Sequence, residues 1–148
     1  MPYFTYDTSV IISRRLTDLP GGSGSFLMSA VVLMELTASA RDDSQRKVYE
    51  RLFRQYSEDN SLIVPDEADW LLASRILFWL AQGRKRSLKG KLKRLSTGTS
   101  QRMALDVLIA VSARRWAATV VTENWDDFKA IQRYCNTKIV RASDFFGR

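Results

Sequence analysis

"FTYDTSVII", residues 4–12, decides how the chain is read. Its aromatic and β-branched residues predict a buried strand over Tyr3 to Ile12, yet Asp7 is set in the middle of it. Asp7 is the only charged side chain between Met1 and Ser13. The same anomaly recurs twice. Glu35 is the only charge between Phe26 and Ala40, and Asp106 the only one between Met103 and Ala113. Burying an unpaired carboxylate costs several kcal/mol, so each acid needs a cation, hydrogen bonds or a raised pKa. An internal salt bridge or a backbone cap would suit any one of them. All three together would need three buried basic partners, which these apolar segments do not supply. One hard cation satisfies the three at once, and oxygen ligands without His or Cys point to Mg²⁺ or Mn²⁺.

Outward from this stretch, the chain alternates strands and helices. "DLPGGSGS" (18–25) matches neither glycine-rich phosphate-loop pattern and reads as a connector. A short strand from Phe26 runs into a helix capped near Ser29 that ends at Ala40. Ser44 to Tyr56 reads as a helix and "SLIV" (61–64) as a short strand or extended lead-in. Asp66 is the expected N-cap of "EADWLLASRILFWLAQ", in which Trp70, Phe78 and Trp79 are assigned to the core. A helix from about Ser100 carries Asp106. "ATVVT" (118–122) is a strand, "ENWDDF" (123–128) its turn, Lys129 to Tyr134 a short helix and "TKIV" (137–140) a last edge strand. The expected fold is α/β: three layers, α/β/α, around a mainly parallel central sheet. Residues 1–148 form one domain, with 83–102 a loop or helical insertion within it. In such sheets the working crevice lies at the carboxyl ends of the strands.

The composition excludes much chemistry. The 148 residues include no histidine, so neither a Ser-His-Asp triad nor an imidazole base or metal ligand exists. A single cysteine permits no internal disulfide and fits a reducing compartment. Neither a secretory leader nor a membrane-spanning run is evident, which makes the cytoplasm the expected location. The net charge of +7 favours an anionic partner, nucleic acid before membrane. That charge is concentrated. Arg84, Lys85, Arg86, Lys89, Lys91, Lys93, Arg94 and Arg102 fall between residues 82 and 102 without one acid, so the rest of the chain is near neutral. The segment is either a solvated or partner-covered basic face or a track for an RNA backbone. Six phosphate contacts on a single strand would give a log–log salt slope of roughly −4.

The turn after the 118–122 strand supplies a fourth acid. Phe128 would anchor it in the core and fix Asp127, Asn124 could act as a neutral ligand or orienter, and Asp126 is expected in solvent. Trp125 is open to two readings, base stacking or packing.

In order along the chain, "YDTSVII", "SAVVLMEL", "LDVLIAVSA" and "VTENWDDF" resemble the four acidic motifs of PIN-domain ribonucleases, most closely the VapC-type toxins of toxin–antitoxin pairs. The resemblance implies that Asp7, Glu35, Asp106 and Asp127 gather Mg²⁺ or Mn²⁺ and hydrolyse RNA, single-stranded or structured, with tRNA and rRNA among the candidates. It also implies a homodimer and an inhibitory antitoxin protein. Ser9 matches a hydroxyl that orients the site, and Asn124 a polar position before the fourth acid. Glu123 departs from the pattern, standing where such toxins often carry Arg, and no glycine follows "MEL" in the usual way. The expected roles are direct ligation by Asp7, Asp106 and Asp127, with Glu35 holding a second ion or orienting water. Two rivals remain: a non-enzymatic RNA-binding module, and another Mg²⁺-dependent phosphoryl-transfer enzyme. An aspartyl-nucleophile phosphatase usually carries a second Asp two residues on, and Ser9 occupies that position.

Overall fold

The computed structural model describes residues 2–16, 19, 20, 25–87 and 97–147. The opening stretch does not form one strand. Only Phe4–Tyr6 is extended (β1), and Thr8–Ser13 forms a short helix, α1, with Asp7 as its N-cap. The β-branched residues that mimic a strand are accommodated because one turn of helix buries Val10 and Ile11 and turns Ile12 outward. Asp7 is therefore no mid-strand residue; it stops the strand and starts the helix.

The chain continues through β2 (Met28–Ser29), α2 (Ala30–Ala38), α3 (Asp43–Glu58) and β3 (Leu62–Ile63). Next come α4 (Glu67–Ser87), α5 (Thr97–Arg115), β4 (Thr119–Thr122), α6 (Trp125–Cys135), β5 (Ile139–Arg141) and α7 (Ala142–Phe146). Among the described residues every strand pairing is parallel: β1 with β4, β4 with β5, and β2 with β3. A parallel bridge between Phe4 and Phe26 joins the two ladders. The strand order is thus β3-β2-β1-β4-β5. Helices packed on this sheet give the expected α/β/α arrangement. α2 packs on α3, and α5 lies against both α4 and α6.

Local chemistry accounts for the helix starts. Ser29 accepts from the Val32 amide, and Asp42 from the Gln45 amide. Asp66 and Asp69 cap reciprocally, each carboxylate accepting from the other's amide at 2.8 and 3.0 Å. Asn136 ends α6 in a left-handed conformation at φ 54°, which asparagine tolerates well.

Several expectations shift. The segment read as a turn at 123–128 is mostly helix, because α6 begins at Trp125. α5 starts three residues before Ser100. The last strand lies at 139–141 and is followed by α7, which was not foreseen. Trp70, Phe78 and Trp79 are not core: they are 56%, 60% and 39% exposed. α4 turns Asp69, Ala73 and Ile76 inward instead, so its large aromatics fall on the outer side. Trp79 stacks on Tyr134, with ring centroids 5.5 Å apart. The core itself is built around Phe26, Met28, Val32, Val107, Val120, Val121, Phe128 and Ile131.

Candidate functional site

The parallel pairing of β1 and β4 carries the site. Tyr6 is in register with Val121, and the Asp7 amide donates to the Val121 carbonyl at 3.1 Å. Asp7 thus emerges at the carboxyl end of β1, level with Thr122 at the end of β4. It is 1% exposed. Ser9 Oγ donates to its Oδ1 at 2.6 Å, Thr122 Oγ1 to its Oδ2 at 2.6 Å, and the Val10 amide to Oδ1 at 3.2 Å. Burial pushes the carboxyl above its ordinary range; the three donors pull it back, and Glu123 pushes it up further.

Glu35 reaches the same edge from α2. Thr8 Oγ1 donates to its Oε1 at 2.8 Å, tying α1 to α2 beside the first acid. Burial raises the Glu35 pKa, Thr8 opposes this, and the charge of Asp7 adds to it. Asp106 arrives on α5, 6% exposed, with one long hydrogen bond from Asn124 Nδ2 at 3.5 Å. Its carboxyl is pushed up to about 8, first by burial and then by the charges of Asp7, Glu35 and Asp127. Asp127 lies on the first turn of α6, half-buried, while its neighbour Phe128 is buried and Asp126 is exposed, both as expected.

Four acids from four different elements therefore share one electrostatic neighbourhood. Among the described residues none of them is in a salt bridge; the arginines and lysines that do pair take Glu123, Asp42, Asp43, Glu50, Asp66 and Asp69. Nor do three or more of the acids among the described residues form a ready cage for an ion. As a donor set, the group consists of carboxylate oxygens with hydroxyl support, which fits a hard divalent ion.

Thr122 and Thr8 are parts of the site that the sequence reading missed. Thr122 Oγ1 donates to Asp7 and accepts from the Asn124 amide at 2.8 Å, so one hydroxyl links the first acid to the start of α6. A threonine closing a strand one residue before the acidic turn is the signal that could have revealed it. Asn124 makes no side-chain cap for α6; its amide side chain goes to Asp106 instead. Ser9 Oγ, besides donating to Asp7, accepts from the Glu123 amide at 3.3 Å. The Glu123 carboxylate pairs with Arg14 Nε at 2.8 Å, and that guanidinium lies 4.6 Å from the centre of the Phe146 ring. The departure at 123 is thereby balanced by a cation from the end of α1.

Of the basic set, Arg102 is exposed on α5, four residues before Asp106. The side chains of Arg84, Lys85 and Arg86, and residues Lys89, Lys91, Lys93 and Arg94, lie outside the described residues. Among the described residues no helix is long and apolar enough to cross a membrane.

No protein-family model matches the chain, and no curated protein does either. Solved structures do. VapBC-1 from nontypeable Haemophilus influenzae aligns with a TM-score of 0.54 at 17% identity, over 95% of this chain and 98% of that one. A chain of DNA-bound VapBC from Salmonella typhimurium aligns with a TM-score of 0.54 at 16% identity, over 96% and 99%. A chain of FitAB bound to the IR36 DNA fragment gives 0.56 at 19% identity, over 94% of each. The chain has the same fold as these proteins, the PIN-type α/β fold, along nearly its whole length.

Proposed function

We propose that the protein is a metal-dependent endoribonuclease, the VapC-type toxin of a toxin–antitoxin pair. The observation that carries this is that Asp7, Glu35, Asp106 and Asp127, brought in by separate elements, share one electrostatic neighbourhood without a cationic partner among the described residues, though three or more of them do not form a ready cage. A structural salt-bridge role would have supplied each acid with its own arginine or lysine. The fold shared with VapBC and FitAB chains supports the reading, as does the order of the four acidic motifs.

In this reading Asp7, Asp106 and Asp127 hold Mg²⁺ or Mn²⁺, and Glu35 shares a second ion or orients water. The ion would supply Lewis acidity, lowering the pKa of water and offsetting the negative charge gathering on the phosphoryl oxygens. The chain's own groups then divide the work. Ser9, Thr122 and the Val10 amide fix both oxygens of Asp7, so its carboxylate is preorganised. Thr8 occupies Glu35 Oε1 and leaves Oε2 to accept a proton from water. Asp106, pushed up to about 8, keeps its proton at neutral pH in the metal-free chain, and its carboxylate form would be the one that holds a cation. The partner in this reading is an antitoxin protein, for which the two-component names VapBC and FitAB are the support; the homodimer rests on the motif resemblance alone.

The test is cleavage of total RNA and of end-labelled tRNA, in Mn²⁺ or Mg²⁺ and in EDTA, beside the Asp106→Asn protein. Discrete cleavage that vanishes with EDTA and in the variant is expected. Equal cutting by the variant, with contaminating nuclease excluded, would sink the proposal.

A further inference from the structure

Beside the carboxylates, one aromatic ring gathers two cations. Trp125 is the first residue of α6 and directly follows Asn124. Arg141 is the last residue of β5 and the register partner of Thr122, whose hydroxyl holds Asp7. Its guanidinium carbon stands 4.7 Å from the centre of the Trp125 ring, and the Lys129 ammonium 5.8 Å from the same point. We propose that Trp125, Arg141 and Lys129 form a subsite for one unpaired nucleotide of an RNA strand, the base against the indole and the adjoining phosphate on the two cations. This rests on the ribonuclease reading and adds to it the place where the strand is gripped next to the cut.

Packing alone does not explain the arrangement. A tryptophan that merely fills space is covered by apolar groups, whereas this half-buried ring is met by two charged side chains. Neither cation has an acidic partner among the described residues, in contrast to Arg14, Arg46 and Arg115. Arg141 is exposed, and its guanidinium lies over the indole without an ion pair among the described residues. Lys129 adds only a hydrogen bond to Gln132 at 3.2 Å. Both heads thus keep donors for a phosphate while the ring fixes their position. An aromatic face with flanking cations is the combination that grips single-stranded nucleic acid without reading its sequence. The charge placement also answers a difficulty. Four carboxylates repel an anionic strand, and cations one strand over offset that repulsion. Farther along α6, Lys129, Gln132, Arg133 and Asn136 line an open concavity of about 510 Å³, which continues the basic strip for the next phosphate. Bases paired in a duplex hide their faces, so the subsite selects unpaired RNA.

The experiment is fluorescence anisotropy with a labelled single-stranded RNA dodecamer on the Asp106→Asn protein, magnesium fixed and sodium chloride varied. In that background Trp125→Ala is expected to weaken binding roughly 5- to 150-fold with its salt slope unchanged. Trp125→Phe, which keeps a stacking ring and guards against a folding defect, retains most of the affinity. Arg141→Ala is expected to flatten the log–log salt slope by about 0.7, the contribution of one phosphate contact on a single strand. Duplex RNA of the same sequence shows no loss on Trp125→Ala. If the Asp106→Asn protein binds RNA and the Trp125 and Arg141 variants bind it equally well, the subsite is wrong and the nuclease reading stands. If Trp125→Phe loses as much as Trp125→Ala, or duplex and single strand lose alike, the stacking role is overturned. If the Asp106→Asn protein binds no RNA at all, both fall together.

Discussion

Asp106 shows most directly what a buried acid does when its neighbours are acids. The ordinary aspartate value is 3.8, and in the folded chain the group titrates near 8. Between these values the folded protein holds a proton that the unfolded chain has released. Stability is therefore greatest below about pH 4 as far as this group is concerned, and it falls as pH rises towards 8, by at most about 1.4 kcal/mol per pH unit. Asp7 and Glu35 are shifted in the same direction and steepen the loss. Urea unfolding in EDTA should accordingly show a midpoint that drops between pH 5 and pH 8. Asp106→Asn should flatten that dependence and be the more stable protein at pH 8. A midpoint that rises over the same window would show that Asp106 is ionised and paired in the fold, against the arrangement described here.

At the scale of elements, what the sequence revealed and what it hid have separate physical causes. Ser29 and Asp66 were legible as caps because their spacing to the apolar run is local. Asp7, Glu35 and Asp106 stood out as isolated charges in apolar segments, Asp127 only as one acid of a charged turn anchored by Phe128, and the structure brings the four to one neighbourhood. α1 was hidden because "TSVII" is β-branched: propensity favours a strand there, and the cap that overrides it is itself the site's first acid. The outward face of Trp70 and Phe78 was hidden because a helix apolar on several sides does not announce which side is buried. Thr122 and the Asp69–Arg115 tie depend on contacts 115 and 46 residues apart, which no local pattern encodes. That second tie is testable. Arg115 Nε lies 3.0 Å from buried Asp69 and 3.3 Å from Asp66, and its Nη2 donates to the Val64 carbonyl at 2.6 Å. It therefore joins α5 to the start of α4. Arg115→Met leaves Asp69 buried without its cation and should cost about 2 kcal/mol, moderated by the partial exposure of Arg115. A double-mutant cycle with Asp69→Asn should return a coupling of roughly 1 kcal/mol or more, and a coupling near zero would reduce the contact to surface decoration.

For the molecule as a whole, the fold accepts local instability at one sheet edge. Three acids with raised pKa values sit where β1, α2 and α5 converge, and among the described residues none of them is in a salt bridge. Whatever neutralises that edge must stabilise the entire chain, because the acids are carried by elements distant in sequence and joined only through the core. A ligand that binds the folded form alone adds about 2.7 kcal/mol at a hundredfold excess over its Kd. For a chain of this length that corresponds to roughly 5–10 °C in Tm. Mn²⁺ or Mg²⁺ should therefore raise the melting temperature of the EDTA-treated protein by that order at pH 8, where the Asp106 carboxyl is about half ionised and adds to the repulsion. The gain should shrink at pH 5, where protons compete for the same oxygens, and should be largely lost in Asp7→Asn. Calcium, which prefers more ligands at longer distances, serves as the comparison for how tightly the site selects its ion. A melting temperature indifferent to every divalent cation at both pH values would mean that these carboxylates answer to some other charge. The ribonuclease reading would then lose the chemistry on which it depends.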